Sequence, residues 1–355
     1  MADFNWIGEQ EDLTAAALTV RAQTVDPTDD GQLLWDAFFP RQDVDSVKFS
    51  EMTDIDFRPV ADRREWNQRG RLIPLKTPPT REFEMTPIEA YFTIAEREMQ
   101  HLEERTLGNE AAFQQIVGMQ IPRRTDSLVQ ADYRRIEIEA FEAWSQGTIT
   151  AYNPQSGSTQ VVSFGYDTAR YATAGTAWDD TSINAYEALI AWLESSIPYV
   201  GSFAGVMLRL ATYQEILADA PNKFIPDSAL GLSVTRRQLT ELIQGDLGQE
   251  FTFYINEKTV EPFTDGGIAT SAAKVWPAQH VAIIPNGERV GTTKFAPVAR
   301  AMELARQVPG AGIDIRGVTV YHEQAGNGRE LTVEAQINAM TVPNEQKVFV
   351  IDAGV

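Results

Sequence analysis

The chain has 355 residues, 43% of them hydrophobic and 23% charged, with a formal net charge of −20 and no cysteine. Such a composition fits a folded globular chain of about two domains or one elaborate one, and argues against wholesale disorder. The lack of cysteine removes disulfides, thiolate metal sites and cysteine nucleophiles, and the acidic balance opposes direct wrapping of a nucleic-acid duplex, which depends on cations at phosphates.

The charge is unevenly placed. Residues 1–57 hold thirteen acidic against three basic side chains, whereas the stretch from Arg58 to Arg81 holds seven basic against two acidic. The opening MADFNWIGEQEDL has neither a basic start nor an apolar core, and no run approaches the roughly eighteen apolar residues of a membrane span. Neither a secretory leader nor a membrane anchor is expected, and cytoplasmic assembly is.

Residues 1–45 carry short apolar pieces, LTAAALTV and LLWDAFF, separated by the acidic spacer DPTDDG. They are too sparse to form a core unaided, so something must hold them down. VKFSEMTDIDFRPV suggests two short strands. The basic passage FRPVADRREWNQRGRLIPLKTPPTR then follows, with prolines at 59, 74, 78, 79 and 87 across this region. Proline removes a backbone donor and fixes φ, so an extended open hairpin is expected there rather than a helix or a central strand. Ordering each residue costs about 1–2 kcal/mol of backbone entropy, and the passage has few apolar residues to offset it. Contacts from another copy of the chain would supply the difference.

From Pro87 the pattern predicts a helix, with Thr86 as its cap and Gly108 as its stop. A longer helix is predicted from Thr125 or Asp126 to Gly147, burying Val129, Tyr133, Ile136, Ala140 and Trp144 at three- and four-residue spacing. TITAYNPQSGSTQVVSFGY predicts a hairpin turning at 153–158, and DDTSINAYEALIAWLESS a helix capped near Asp180 or Thr181. A strand running into a helix, a short helix and strands at EFTFYINEKTV and HVAIIPNG follow, and the chain closes on IDIRGVTVYHEQ, RELTVEAQINAMTV and KVFVIDAGV, all strand-like. Helices and strands mix without regular βαβ alternation, so the fold class is α+β.

Sites for chemistry are searched for and not found. Glu98 and His101 form half of a di-iron carboxylate signature, but no second Glu-x-x-His occurs, and His280 and His322 have no recognisable ligand partner. PNGERVGTTKF reverses the Lys and Thr order of a phosphate loop, and VPGAGIDIRG lacks the third glycine of a dinucleotide loop, so both are read as turns. The pairs Asp29–Asp30 and Asp179–Asp180 have simpler uses in turns and caps. No catalytic, cofactor-binding or metal residue is assigned.

The order of features nevertheless resembles the major capsid proteins of tailed bacteriophages, the lambda-type head proteins with the Hong Kong 97-type fold. The parts that carry this resemblance are VKFSEMTDIDFRPVADRREWNQRGRLIPL, TDSLVQADYRRIEIEAFEAWSQGTITA, DDTSINAYEALIAWL, PNGERVGTTKFAPVARAMELA and RELTVEAQINAMTVPNEQKVFVIDAG, spread over residues 30–355. The resemblance implies an amino-terminal arm (1–45), an extended loop (46–88), a peripheral domain with a long spine helix (89–196 and 320–355) and an axial domain (197–319). It implies a protein that assembles with itself, as hexamers and pentamers, into an icosahedral shell of the virion. That shell would enclose double-stranded DNA without sequence-specific binding, alongside scaffolding, portal and decoration proteins, with no cofactor and no membrane. The extended loop would lie on a neighbouring copy, with Arg58, Arg63, Arg64, Trp66, Arg69, Arg71 and Lys76 as its contact residues. Two rival readings remain: an encapsulin-like compartment of the same fold, and an acidic α/β enzyme or solute-binding protein that uses the glycine loops near 287 and 310.

Overall fold

The computed structural model describes residues 10–25, 33–52, 80–107, 109–153, 158–220, 234–260, 263–264, 267–268, 273–287, 289–324 and 330–354. The amino-terminal part gives helix α1 (Ala15–Thr24), capped by the Thr14 side chain accepting from Ala17 N–H, then the single turn α2 (Trp35–Phe38) and strand β1 (Arg41–Asp43). Strands β2 (Lys48–Met52) and β3 (Thr80–Glu84) pair antiparallel, and the passage between them, expected as an open hairpin, lies outside the described residues.

The next stretch departs from its predicted form. Residues 88–94 are strand β4 (Ile88–Ile94), and helix α3 (Glu96–Arg105) begins only after Ala95. Pairing decides it: all seven residues of β4 lie opposite residues 331–337 of a long strand, and Ile88, Ala90, Phe92 and Ile94 alternate onto the core side.

The long helix is also longer than its caps suggest. α4 runs from Glu110 to Gln146, 37 residues, with Asn109 as its cap and Pro122 inside it. Thr125 is an interior residue whose hydroxyl donates to the Ile121 carbonyl at 2.9 Å. A helix-interior proline costs about 3 kcal/mol. Here Phe113, Val117 and Ile121 are fully buried on the same stripe as Val129, Ile136, Ala140 and Trp144, and burying a large apolar side chain returns about 1.5–3 kcal/mol. Gly147 does end the helix, at φ 69°, and a Cβ there would meet the Tyr171 ring at 3.0 Å.

Beyond it come β5 (Thr148–Asn153) and β6 (Ser158–Ser163), paired as predicted, and β7 (Tyr171–Thr173). Helix α5 (Ala185–Val200) is capped by Asn184 rather than Asp180, whose carboxylate accepts from Ser182 N–H in the preceding turn. Strand β8 (Phe203–Leu208) leads into α6 (Leu210–Asp219). Helix α7 (Arg236–Leu247) opens on a reciprocal cap between Thr235 and Gln238. After β9 (Thr252–Ile255), four two-residue strands form small hairpins: β10 (Thr259–Val260) with β13 (Ala273–Lys274), and β11 (Phe263–Thr264) with β12 (Gly267–Ile268).

The chain ends with β14 (His280–Pro285), β15 (Gly291–Ala296), α8 (Ala299–Gln307), β16 (Thr319–Gln324), β17 (Leu331–Pro343) and β18 (Val350–Asp352). Residues 313–318, read as strand, instead make a turn closed by Gly317 N–H on the Asp314 carbonyl. The glycines at 287, 310 and 312 have positive φ, the first two in turns and the third in the loop that follows.

Two five-stranded sheets organise these elements. In the first, the order is β1-β15-β17-β16, with β4 also pairing β17; in the second it is β7-β18-β14-β8-β9. α4 packs on the first sheet, and a cluster of Phe38, Phe39, Phe141, Trp144 and Trp276 fills the space beneath it, with ring centroids 5.2–6.3 Å apart. A second core lies between α5, α6, α7 and the second sheet. β18 belongs to the second sheet and β15 to the first, so the final third of the sequence threads both layers.

Candidate intersubunit surface

The paired strands β2 and β3 flank residues 53–79 in the sequence and are taken as the root of that segment. Their register sets Lys48 opposite Glu84, Phe49 opposite Phe83 and Glu51 opposite Arg81. Lys48 and Glu84 lie 3.2 Å apart but both are exposed, so the pair adds no more than about 1 kcal/mol. The apolar side contributes more. The Phe49 and Phe83 rings are 5.7 Å apart, Phe83 meets Phe164 at 5.5 Å, and the row continues through Tyr166 to Tyr171. Each such ring pair adds about 0.5–1.5 kcal/mol beyond its area, which fixes the root to the body.

Arg81 secures the same junction. Its guanidinium donates to the Phe164 and Gly165 carbonyls, lies 3.4 Å from Glu345 and sits 5.2 Å from the centre of the Tyr166 ring. A planar fork meets these partners together, as an ammonium could not. The Tyr166 hydroxyl donates to the Pro343 carbonyl, and burial, opposed by Arg81, pushes its pKa up, so the phenol stays neutral. On the opposite strand Glu51 lies 3.0 Å from the Lys294 ammonium, which also donates to Gln42. Lys294 is only 5% exposed, and a buried ammonium requires such a partner. Gln42, Glu51, Arg81 and Tyr166 border a cleft of about 240 Å³ that Arg289 and Lys347 also line.

The residues assigned to contact from sequence, Arg58, Arg63, Arg64, Trp66, Arg69, Arg71 and Lys76, lie outside the described residues. Arg81, the last cation of the same basic passage, is described, and it grips its own body.

The amino-terminal segment finds its anchorage in its own chain. The Thr19 hydroxyl bonds the backbone of Val320, the Gln23 amide spans Asp314 and Val318, and Arg21 makes a two-pronged contact with Asp126 on α4. Trp35, Phe38 and Phe39 are buried in the first core. Farther in, Glu137 on α4 accepts Leu34 N–H at 2.9 Å and pairs with Lys258 at 3.3 Å. One carboxylate thereby ties the arm, the long helix and the loop after β9.

On the outer face of the first sheet Glu89, Tyr91 and Thr93 share a side with Thr332, Glu334 and Gln336. Burial and the neighbouring Glu334 hold the Glu89 carboxyl above its usual range. Beneath the sheet, on α4, Asp132 is 1% exposed and neither of its oxygens has a hydrogen-bond partner among the described residues. Burial first, then Glu89, raises its pKa well above that of a free carboxyl.

The histidines make no constellation. His101 is exposed beside Glu104, Glu98 is engaged by Arg124 at 2.6 Å, and burial lowers the pKa of His280 and His322. Among the described residues no group of three His, Asp or Glu side chains is arranged to hold a metal ion, and no helix is long and apolar enough to cross a membrane.

No protein-family profile and no curated protein matches the sequence. Solved structures do. The crystal structure of a candidate capsid protein from a prophage of E. coli CFT073 superposes with a TM-score of 0.55 at 12% identity, over 96% of this chain and 98% of the other. A phage-related protein of Bordetella bronchiseptica RB50 gives 0.46 at 13% identity, over 95% and 96%. The SrpI encapsulin of Synechococcus elongatus PCC 7942 gives 0.43 at 11%, over 93% and 88%. The first of these carries the comparison, and the chain has the α+β, Hong Kong 97-type fold that its feature order resembles.

Proposed function

We propose that this chain is a shell-forming major capsid protein, whose copies associate as hexamers and pentamers and close into an icosahedral shell around double-stranded DNA. The observation that supports this most is the superposition, end to end, on a prophage capsid structure. The parts take the roles that the resemblance implies: an arm at 1–45, an extended loop at 46–88, a peripheral domain at 89–196 and 320–355, and an axial domain at 197–319. No catalytic step, cofactor or metal enters this reading.

The mechanism is one of complementary charge on a fixed lever. The strand pair that flanks the basic segment is held by Arg81, Glu51 and the ring row from Phe49 to Tyr171, so both ends of that segment start from a fixed base. Arg63, Arg64, Arg69 and Arg71 then meet acidic groups of a neighbouring copy. Each exposed pair contributes only about 0.2–1 kcal/mol, but repeated around a closed ring such pairs fix register and exclude wrong partners. The net charge of −20 suits a wall that repels rather than pins packaged DNA. Scaffolding, portal and decoration proteins would be further partners.

Reversal of Arg63, Arg64 and Arg69 to Glu tests the loop. The variant is expected to fold normally yet elute as small species where the unaltered chain elutes as large particles, and normal particles from it would remove the loop charge from the account. Nuclease-protected DNA inside particles from infected cells separates the phage shell from an encapsulin-like compartment, which would hold protein.

A further inference from the structure

Residues 331–337 of β17 are flanked by β16 on one side and β4 on the other, and each of these neighbours has an outer edge. The two edges are treated differently. Along β16 lies α1, and the Thr19 hydroxyl engages both the N–H and the carbonyl of Val320, the groups that an incoming strand would need. Along β4, no strand pairs the outer edge among the described residues. Tyr91 is 67% exposed, and Ile88, Ala90 and Phe92 are only partly buried. A seven-residue edge with this composition is a template for another strand.

We propose that β4 is a self-association edge, which pairs antiparallel with β4 of a second copy across a twofold axis and joins two first sheets into one. The sequence selects this occupant and its register. An antiparallel pair across a twofold is centred on one residue, and centring on Tyr91 uses the whole strand: Ile88 faces Ile94 of the second copy, Glu89 faces Thr93, Ala90 faces Phe92, and the two Tyr91 side chains meet. Centring on Glu89 instead would set two carboxylates face to face, which is destabilising. Glu89 already shares its face with Glu334, and its carboxyl is held above the usual range by burial and by that neighbour, so it is the position least tolerant of a further negative charge. On the opposite face Ile88, Ala90, Phe92 and Ile94 would meet their counterparts over α4, where the Arg124 guanidinium already lies 5.5 Å from the centre of the Phe92 ring.

The contact is small. One strand pair buries far less than the roughly 1,200 Å² of an independent stable interface. Dilute free copies therefore stay apart, and the pairing counts where copies are concentrated or held together. In this respect the inference rests on the shell reading.

The chain has no cysteine, so an introduced one reports cleanly. Directly opposed residues of an antiparallel pair lie about 4.5–5.5 Å apart at Cα, within the span a disulfide bridges. Oxidised particles of Tyr91→Cys are expected to run as a reducible covalent dimer, and those of Glu89→Cys as monomer. Particles of the double variant Glu89→Cys with Thr93→Cys, which keeps Tyr91, are expected to give the dimer again. The double variant also serves if Tyr91→Cys does not assemble. Particles that stay monomeric in both designs, or that cross-link equally through Glu89→Cys alone, overturn the pairing. If the unaltered chain forms no particles, the shell reading falls instead, and the same cross-link tried on the concentrated chain decides the edge by itself.

Discussion

The Lys258 ammonium lies 3.3 Å from the Glu137 carboxylate, and the Glu137 side chain is 2% exposed. Burial raises the pKa of Glu137, against the Leu34 N–H and Lys258, which lower it. Lys258→Met leaves Glu137 with the Leu34 N–H as its hydrogen-bond donor among the described residues and the Arg134 charge nearby, and raises the folded-state pKa further. A carboxyl raised above its unfolded value lowers stability as pH climbs past that value. The variant should therefore be less stable by about 1–3 kcal/mol at neutral pH and approach the parent chain in acid. Urea unfolding at several pH values checks this, and an equal loss at every pH would show that packing, not charge, explains the position.

Asp132 leads to the opposite expectation. Both of its oxygens are buried and unpartnered among the described residues, and its pKa is raised well above the ordinary carboxyl range. The folded state binds the proton that the unfolded state releases, so this group favours folding in acid and opposes it as pH rises. Asp132→Asn, neutral at all pH, should raise the melting temperature at pH 7 and change it little near pH 4. The neutral-pH gain is expected to be on the order of 1–3 kcal/mol. A loss at both pH values would mean that the carboxylate has a favourable role.

Thr19 provides a test of the sealed edge. Its hydroxyl donates to the Val320 carbonyl at 2.9 Å and accepts Val320 N–H at 3.0 Å, in a buried setting. Thr19→Val keeps the shape and strands both backbone groups, at a cost of about 1–3 kcal/mol. Thr19→Ser should retain most of that. Denaturant melts of the pair separate the hydroxyl from the methyl, and equal losses would favour the methyl.

Arg81 tests the lever. Arg81→Lys preserves the charge toward Glu345 but not the two carbonyl contacts at Phe164 and Gly165. Both Arg81→Lys and Arg81→Ala should leave the body folded, lower stability by about 1–3 kcal/mol and reduce particle yield, the alanine variant more. Unchanged yield from the alanine variant would free the root from any part in assembly.

Much of the fold was legible where local and tertiary signals agree. The stripe Val129, Tyr133, Ile136, Ala140, Trp144 lies where its spacing puts it, and Gly147 stops the helix in a left-handed conformation that favours glycine, with the Tyr171 ring close by. The hairpin 148–163 follows from the same kind of agreement. Errors fall where distant partners decide. Thr86 and Pro87 look like a helix start, yet residues 88–94 pair with a strand some 240 positions away. Pro122 looks like a break, yet the buried residues on either side hold the helix through it. Anchorage of the arm through Thr19 and Gln23 left no local mark, since one threonine and one glutamine on a short helix acquire meaning only against β16. The contacts expected of the loop residues, which lie outside the described residues, stay expectations of charge.

Electron microscopy of the purified chain tests self-assembly most directly. Closed, uniform, roughly spherical particles built of hexameric and pentameric units are the predicted result. A folded chain that remains dispersed as single copies across concentration and salt would contradict the shell account.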